Sequence, residues 1–195
     1  MSNLSFSKHI SDIVGRAKQR CNIMFRCFII KDTAVLIKAF NSYVRPILEY
    51  CSQVWSPTNI SDIELLESVQ RNFTKRLPGL KLVCYAECLS ILRLCTLEEG
   101  RIILDLMFCF NCLLGHNSIN PSSIGLCVSS SNTRGNRFKL SILHSDVTSR
   151  SNFLANRIAS VWNSLPDSIF DSQCPLTFRR KLGSLVLSHF IKQIF

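Results

Sequence analysis

The sequence predicts a mainly α-helical protein: a helical bundle, then a loop or short-strand insertion, then a C-terminal helical segment. Apolar residues recur at three- and four-residue spacing through the first 115 residues, as they do on one face of an amphipathic helix. Helix-start and helix-stop residues separate these stretches. At His116 the composition shifts toward serine, asparagine and proline. These observations predict a helical bundle over residues 1–115, an irregular connection over 116–150 and a helical segment over 151–195.

The chain is long enough, and apolar enough, to bury a real core. It has 195 residues, of which 47% are hydrophobic, and a formal net charge of +10. The charge is uneven: residues 1–80 carry 11 basic against 6 acidic residues, residues 81–115 carry 3 against 4, and residues 116–195 carry 9 against 3. Two basic ends around a nearly neutral middle favour a polyanionic partner.

The first two predicted helices cover residues 7–30 and 32–50. Asp32 is a good N-cap for the second. Pro46 lies inside its apolar pattern and removes one backbone hydrogen bond, so we expect a kink or break at residues 43–45. Pro57 ends the segment, because a residue before proline is pushed out of the helical region.

The third predicted helix starts with a capping box, in which Ser61 and Glu64 satisfy each other's backbone amides, and it ends near Leu77 before Gly79. One stripe is apolar, and a second is charged: Glu64, Glu67, Arg71 and Lys75. Gln70 falls within the apolar stripe and needs a hydrogen-bond partner if it is buried.

Further helices are predicted at residues 81–93 and from a capping box at Thr96 and Glu99 to Gly115. Within the connection, residues 137–143 alternate polar and apolar side chains, which is typical of a short strand. Helix resumes near residue 152 and stops at Pro166. Pro175 opens a last helix that extends to about residue 192.

Six short blocks carry a resemblance to a known family. They are residues 43–50 (YVRPILEY), 54–57 (VWSP), 66–75 (LESVQRNFTK), 89–98 (LSILRLCTLE), 133–135 (TRG) and 162–166 (WNSLP). In this order they resemble the region downstream of the polymerase core in reverse transcriptases of non-LTR (LINE-type, jockey-like) retrotransposons. The resemblance runs from about residue 4 to about residue 187. Where the family usually has two arginines after the Leu-Glu, this chain has Glu99 and Gly100.

The resemblance implies a non-catalytic fragment of an RNA-directed DNA polymerase, composed of the helical thumb and the C-terminal region. The family's paired aspartates, which hold two metal ions for nucleotidyl transfer, lie in a palm domain upstream of this region. Asp12, Asp32 and Asp62 are isolated helix-start or surface residues. We therefore expect no enzymatic activity from the chain on its own.

The implied partners are RNA or an RNA–DNA hybrid and the palm domain of the parent polymerase. Two alternatives remain open. In the first alternative, the chain is a helical protein-interaction module derived from such an element. In the second, it is a complete reverse transcriptase truncated in the gene model.

Basic clusters are the candidate nucleic-acid-binding residues, because a thumb holds its duplex through phosphates. The ten candidates are Arg71, Lys75, Arg76, Lys81, Arg134, Arg137, Lys139, Arg179, Arg180 and Lys181. The first four have an alternative explanation, since cations at the C-terminus of a helix complement its macrodipole. The others have few acidic neighbours in the sequence, which favours phosphate contact.

Other chemistry is weakly indicated. Cys109 and Cys112 have the spacing of half a zinc site but lack a second half, so we expect them to pack in a core and expect no metal and no cofactor. Trp55 and Trp162 are interpreted as core or loop anchors rather than base-stacking platforms. The most apolar run, residues 102–115, is too short to span a bilayer, and the N-terminus lacks a signal-peptide pattern. An intracellular protein, nuclear or cytoplasmic, is expected.

Overall fold

The computed structural model describes residues 5–29, 32–129, 138–142, 150, 152–172 and 174–185. These residues are mainly helical, which confirms the predicted fold class. Packing divides the chain into two units between Gly100 and Arg101, each with its own apolar core. This division follows contacts, whereas the predicted segments 1–115, 116–150 and 151–195 follow composition. The two units are described separately.

The helices are α1 (Ser7–Cys27), α2 (Thr33–Ala39), a π turn (Phe40–Val44), α3 (Arg45–Glu49), α4 (Ser52–Trp55), α5 (Ile60–Lys75), α6 (Tyr85–Leu92), α7 (Leu97–Leu113), α8 (Leu154–Ser164) and α9 (Pro175–Leu182), with short 3₁₀ turns at Pro121–Ile124 and Asp167–Ile169. Helix α7 begins in the first unit and continues into the second. None of the helices in the described residues has the length and hydropathy that a membrane span requires.

Helices α1 and α5 are the central pair of the first unit, and they run parallel. Near their N-termini the Ser7 hydroxyl donates to an Asp62 carboxylate oxygen at 2.7 Å. Near their C-termini the rings of Phe25 and Phe73 lie 5.6 Å apart between centroids. Phe73 also stacks on Phe40 at 4.3 Å. The third predicted helix is therefore a core element, as its apolar stripe indicated.

The second predicted helix is interrupted where Pro46 predicts it. Asp32 caps the start, accepting from the Val35 amide at 2.9 Å. After α2 the backbone widens into the π turn, in which the Arg45 amide donates to the Phe40 carbonyl, five residues back. The wide turn accommodates the proline ring at the start of α3, so the predicted break is confirmed.

Helix α5 starts earlier than the capping box predicts, and that prediction is wrong. Asn59 has extended backbone angles and caps the helix, its side-chain oxygen accepting from the Ser61 amide at 3.2 Å. Ser61 is already the second helical residue, so its side chain cannot act as the cap. The helix ends at Lys75, and Gly79 adopts φ +79° in the turn that follows.

Glu67 was expected on the charged face of α5 but is buried, with 3% of its surface exposed. The Tyr85 hydroxyl donates to one carboxylate oxygen, and the Leu97 amide donates to the other at 3.0 Å. Gln70, which is fully buried, donates to the Cys95 carbonyl at 2.9 Å and contacts the Tyr85 oxygen at 3.1 Å. The predicted need of Gln70 for a partner is confirmed.

The next two helices lie where the sequence predicts them, except that the first of them starts later. Residues 81–84 stay in turns, so α6 is shorter than predicted and has Cys84 as its N-cap. Thr96 caps α7, because its hydroxyl oxygen accepts from the Glu99 amide at 3.0 Å. At the other end of α7, Gly115 adopts φ +69°, which favours glycine, and terminates the helix as predicted.

Gly100 is a close-approach position within the first unit. The Arg45 and Glu49 side chains form an ion pair at 2.7 Å beside it. A Cβ atom at Gly100 would lie 2.5 Å from the Arg45 Nη2 atom and 2.6 Å from a Glu49 carboxylate oxygen. A side chain larger than glycine at this position would therefore displace the ion pair.

The second unit packs α7, α8 and α9 around aromatic rings. Phe110 and Phe178 stack at 4.0 Å, and Trp162 lies against Phe170 at 4.9 Å between centroids. The predicted helix between residue 152 and Pro166 is present as α8, and Pro175 opens α9 as predicted. This helix ends at Leu182 and residues 183–185 form turns, so the predicted continuous helix to about residue 192 is wrong at this point; the residues after 185 lie outside the described residues.

The strand predicted at residues 137–143 falls partly outside the described residues. Within residues 138–142 the backbone makes a single antiparallel bridge between Leu140 and Val128 and no strand. Asn163 of α8 fixes this bridge: its side chain accepts from the Leu140 amide at 2.8 Å and donates to the Leu140 carbonyl at 2.9 Å.

A buried ion pair joins α7 to α8 within the second unit. The guanidinium of Arg157 contacts the Asp105 carboxylate at 2.9 Å, and only 4% of the Asp105 side chain is exposed. Burial raises the pKa of Asp105 to about 6, although Arg157 and Arg101 oppose the shift. The desolvation of this carboxyl thus outweighs its pairing.

We expect Phe73→Ala to lower the free energy of unfolding by about 3–5 kcal/mol, because it empties a packed aromatic site between α1, α5 and the π turn. Urea denaturation of the purified chain measures this. Leu82→Ala removes an apolar side chain that is 96% exposed and should change stability by less than about 0.5 kcal/mol. A loss below about 1 kcal/mol for Phe73→Ala would contradict the assignment of α5 to the core.

We expect the Asp105 carboxyl to make the free energy of unfolding fall as the pH rises from about 4 to about 6. In this window the unfolded chain releases the proton while the folded chain keeps it, so the folded state binds more protons. Relative to Asp105→Asn, the wild type should lose up to about 3 kcal/mol across the window. Urea melts at pH 4, 5, 6 and 7 measure the difference. Asp167→Asn, at an exposed site, is the control, and a wild-type advantage that rises with pH would contradict the expectation.

Candidate nucleic-acid interface

The first predicted cluster is divided between two flanks of α5. Arg71 lies over the ring of Tyr85, with the guanidinium carbon 5.2 Å from the ring centre. On the other flank Arg76 lies over the ring of Phe25 at 4.0 Å and donates to the Asn22 side-chain oxygen at 2.7 Å. Lys75 is exposed between them. Arg71 and Arg76 therefore do not face one ligand surface together.

Aromatic rings, rather than carboxylates, support both arginines. A guanidinium on an aromatic face keeps its N–H donors free at the edge of the plane and retains its full charge. The only ion pairs found among the described residues are Arg45 with Glu49 and Arg157 with Asp105. Arg71, Lys75 and Arg76 thus present positive charge that no acidic side chain in this part of the chain neutralises.

The parallel packing adds two cations that the sequence reasoning missed. Lys18 and Arg26 lie four residues before and after Asn22, so they share the face of α1 that meets Arg76. Both are exposed. We call the resulting surface the basic end of the first unit, defined by Lys18, Arg26, Lys75, Arg76 and Lys81. A basic, amphipathic first helix was the available signal, but its packing partner was not predictable from the sequence.

Charge in this pair of helices is polarised along their shared axis. The N-terminal halves of α1 and α5 mix acidic and basic residues, namely Asp12, Asp62, Glu64, Lys8 and Arg16, whereas the C-terminal halves carry cations and no acidic residue. The helix macrodipole accounts for Arg26 and Lys75, which occupy last turns. It does not account for Lys18, which lies more than two turns from the end of α1, or for Lys81, which follows α5 in a turn.

Little of the second predicted cluster lies within the described residues. Arg134 and Arg137 are outside them. Lys139 is half-buried, and its carbonyl accepts from the Ser129 amide at 2.7 Å beside the Leu140 bridge. The described part of this cluster is one backbone-anchored lysine.

The third predicted cluster does not form a single face. Arg179, Arg180 and Lys181 are consecutive on α9, so their side chains point in directions about 100° apart. Arg179 and Arg180 are exposed, whereas the Lys181 ammonium donates to the Ser168 carbonyl. The Lys181 ammonium is therefore held against the segment of residues 167–169 rather than presented with the two arginines.

Both tryptophans are buried anchors, as predicted. The Trp55 indole N–H donates to the Tyr50 carbonyl at 2.8 Å, and the Trp162 indole N–H donates to the Phe138 carbonyl at 2.8 Å. At most 5% of either side chain is exposed. Neither ring is available for a nucleic-acid base to stack on.

Cys109 and Cys112 pack in the core of the second unit, as their helical spacing indicated. Burial raises the pKa of Cys109, and Asp105 adds to the shift, so the thiolate that zinc requires is disfavoured. Within the described ranges no set of three or more His, Cys, Asp or Glu side chains could hold a metal ion.

The comparisons with known proteins give one partial match. The Caenorhabditis elegans protein named uncharacterized protein B0403.1 is 33% identical to this chain over 73 residues. The match covers 37% of this chain and 37% of that protein, so the chain spans little more than a third of its relative's length. No protein-family model and no solved structure matches the chain.

Proposed function

We propose that the chain is a non-catalytic part of a non-LTR retrotransposon reverse transcriptase and that it binds RNA or a template–primer duplex through the basic end of the first unit. The observation that supports this proposal is the parallel packing of α1 and α5. It brings exposed cations from both helices to one end of the unit, and no ion pair within the described residues neutralises them.

Such a surface suits a nucleic-acid backbone better than base edges. The side chains of Lys18, Lys75 and Lys81 are flexible point charges. They can contact phosphates without fixing a register on the bases. Each neutralised phosphate releases a condensed counterion, so binding is electrostatic and largely independent of sequence. In this proposal the palm domain of the parent polymerase supplies the chemistry, and the protein acts inside the cell, in the nucleus or the cytoplasm.

A second candidate, the helical protein-interaction module, is favoured by a different surface. Tyr43, Tyr50 and Val54, in and after the YVRPILEY block, are each more than 60% exposed. Exposed aromatic and branched side chains in one stretch are typical of contact surfaces. Replacing Tyr43 and Tyr50 with serine should weaken the binding of a protein partner and leave the affinity for nucleic acid unchanged.

The test of the first candidate is a charge reversal matched for net charge. Lys18, Lys75 and Lys81 are changed to glutamate together, and Arg76 is kept because it packs on Phe25. We expect affinity for an RNA duplex and for an RNA–DNA hybrid to fall at least tenfold, uniformly across sequences. The slope of log affinity against log salt should flatten by up to about 0.9 for each lost contact. Fluorescence anisotropy over a salt series measures both quantities.

The matched control reverses Lys8, Arg16 and Lys38, which are exposed elsewhere in the same unit. A third variant reverses Arg179, Arg180 and Lys181 in α9. We expect a small loss of affinity from the reversal of Lys8, Arg16 and Lys38. The reversal in α9 should cause an intermediate loss, because the three side chains of that cluster diverge. Equal losses of affinity from all three variants would show that only net charge matters. The basic end would then not be a specific binding site. A thermal melt of each variant confirms that it is folded.

A separate observation tests the proposed origin. The nucleotide sequence upstream of this chain should encode, in frame, a palm domain with its aspartate pair. An unrelated upstream exon or an independent promoter would instead favour the interaction module.

A further inference from the structure

We propose, resting on the function proposed above, that Arg76 is the fixed phosphate-binding residue of the basic end. The Nε–Nη2 edge of its guanidinium binds the two non-bridging oxygens of one backbone phosphate, and Asn22 positions the guanidinium for this contact. Lys18, Lys75 and Lys81 add attraction without fixing the strand. Two observations support this assignment: the contacts that hold the guanidinium, and the donors that those contacts leave unused.

Two residues of α1, one helical turn apart, hold the Arg76 guanidinium in place. Its carbon atom lies 4.0 Å from the centre of the Phe25 ring, so the group lies over the face of that ring. Its Nη1 atom donates to the Asn22 side-chain oxygen at 2.7 Å. Phe25 packs in turn on the buried ring of Phe73, at 5.6 Å between centroids. The support thus belongs to the core of the first unit, and binding a ligand need not order this side chain.

These contacts leave one edge of the guanidinium unused. A guanidinium has five N–H donors in a planar fork. Asn22 takes a donor from Nη1, whereas Nε and Nη2 have no partner among the described residues, and Arg76 is exposed. The Nε and Nη2 donors lie side by side and point the same way. This is the geometry in which arginine binds a phosphate through two parallel hydrogen bonds.

The surroundings of this edge are positive. Neither ion pair in the described part of the chain includes Arg76. Arg76 acts electrostatically on the Cys21 thiol, but burial raises the pKa of that thiol to about 11, so it remains uncharged at neutral pH. Lys18 and Arg26, one turn before and after Asn22, add charge of the same sign. The site therefore favours an anion and repels a cation.

Arg71 provides the internal comparison, because it has an aromatic support but no second contact. Its guanidinium carbon lies 5.2 Å from the centre of the Tyr85 ring, and no side-chain hydrogen bond from the described residues holds it. Ordering this side chain on a ligand would cost more conformational entropy than ordering Arg76. We therefore expect Arg71 to act as a general positive charge and not as a fixed fork.

The first experiment compares Arg76→Lys with Arg71→Lys in the full chain, because both variants keep the charge and remove the fork. We expect Arg76→Lys to lower the affinity for an RNA duplex about tenfold, the effect of losing one charge-assisted hydrogen bond. The slope of log affinity against log salt should stay at its wild-type value, since no charge is lost. Arg71→Lys should change the affinity by less than about twofold. Fluorescence anisotropy measures these affinities, and equal losses from the two variants would overturn the proposal.

A double-mutant cycle tests Asn22 as a positioning residue. Asn22→Ala should lower the affinity about fivefold in the wild-type background and should have no further effect in the Arg76→Lys background. A general loss of structure would instead weaken binding in both backgrounds, and that result would overturn the role of Asn22. Thermal melts of the three variants establish that each is folded.

A measurement on the wild-type chain separates this proposal from the proposed function. Inorganic phosphate is titrated at constant ionic strength while nuclear magnetic resonance follows the Nε–H signals of isotope-labelled arginine side chains. We expect the Arg76 signal to shift saturably and the Arg71 signal to shift much less. If the chain binds no nucleic acid, a saturable Arg76 shift would still support the phosphate site while the proposed function fails. An Arg76 signal that shifts no more than that of Arg71 would overturn the site.

Discussion

The carboxylate of Glu67 lies among apolar side chains, where an ionisable group without partners would cost several kcal/mol. The Tyr85 hydroxyl and the Leu97 amide satisfy it, and Gln70 completes the set through Tyr85 and the Cys95 carbonyl. Burial and the adjacent carboxylate raise the pKa of Tyr85, which keeps its hydroxyl a donor. These bonds join α5 to α6 and to the start of α7, and they leave the opposite flank of α5 free to pack on α1. The positions of Arg71 and Arg76 follow from this arrangement.

Local signals in the sequence were sufficient for most of the fold. Periodicity located the long helices, Pro46 located the break, and Thr96 and Gly115 located the ends of α7. Two errors occurred where the local signal was ambiguous. Asn59 and Ser61 are both good caps, and only the extended backbone at Asn59 distinguishes them. Glu67 lies at the edge of the apolar stripe, where a period of 3.6 residues cannot tell a buried carboxylate from an exposed one.

The candidate interface was harder to predict, because adjacency in sequence is a poor guide to adjacency on a helix surface. Three consecutive cations on α9 point apart. Asn22 and Arg76, more than fifty residues apart in the chain, meet because α1 and α5 are parallel, and Lys18 and Arg26 share the face of α1 that carries Asn22. No periodicity within either helix encodes that direction, since parallel and antiparallel neighbours bury the same stripe. The sequence composition identified the cations, but only the tertiary packing shows which of them lie together.

The π turn keeps one face of the α2–α3 segment directed at the core of the first unit. The buried residues Leu36, Phe40, Val44 and Leu48 recur every four residues, a spacing at which an ordinary helix would drift by about 40° per step. The wide turn absorbs the drift, so it is equivalent to one inserted residue. A chain shortened by one residue within Phe40–Val44 would show the usual four-three-four spacing and keep the same core face. It would also lose the room for the ring of Pro46, so the extra residue and the proline depend on each other.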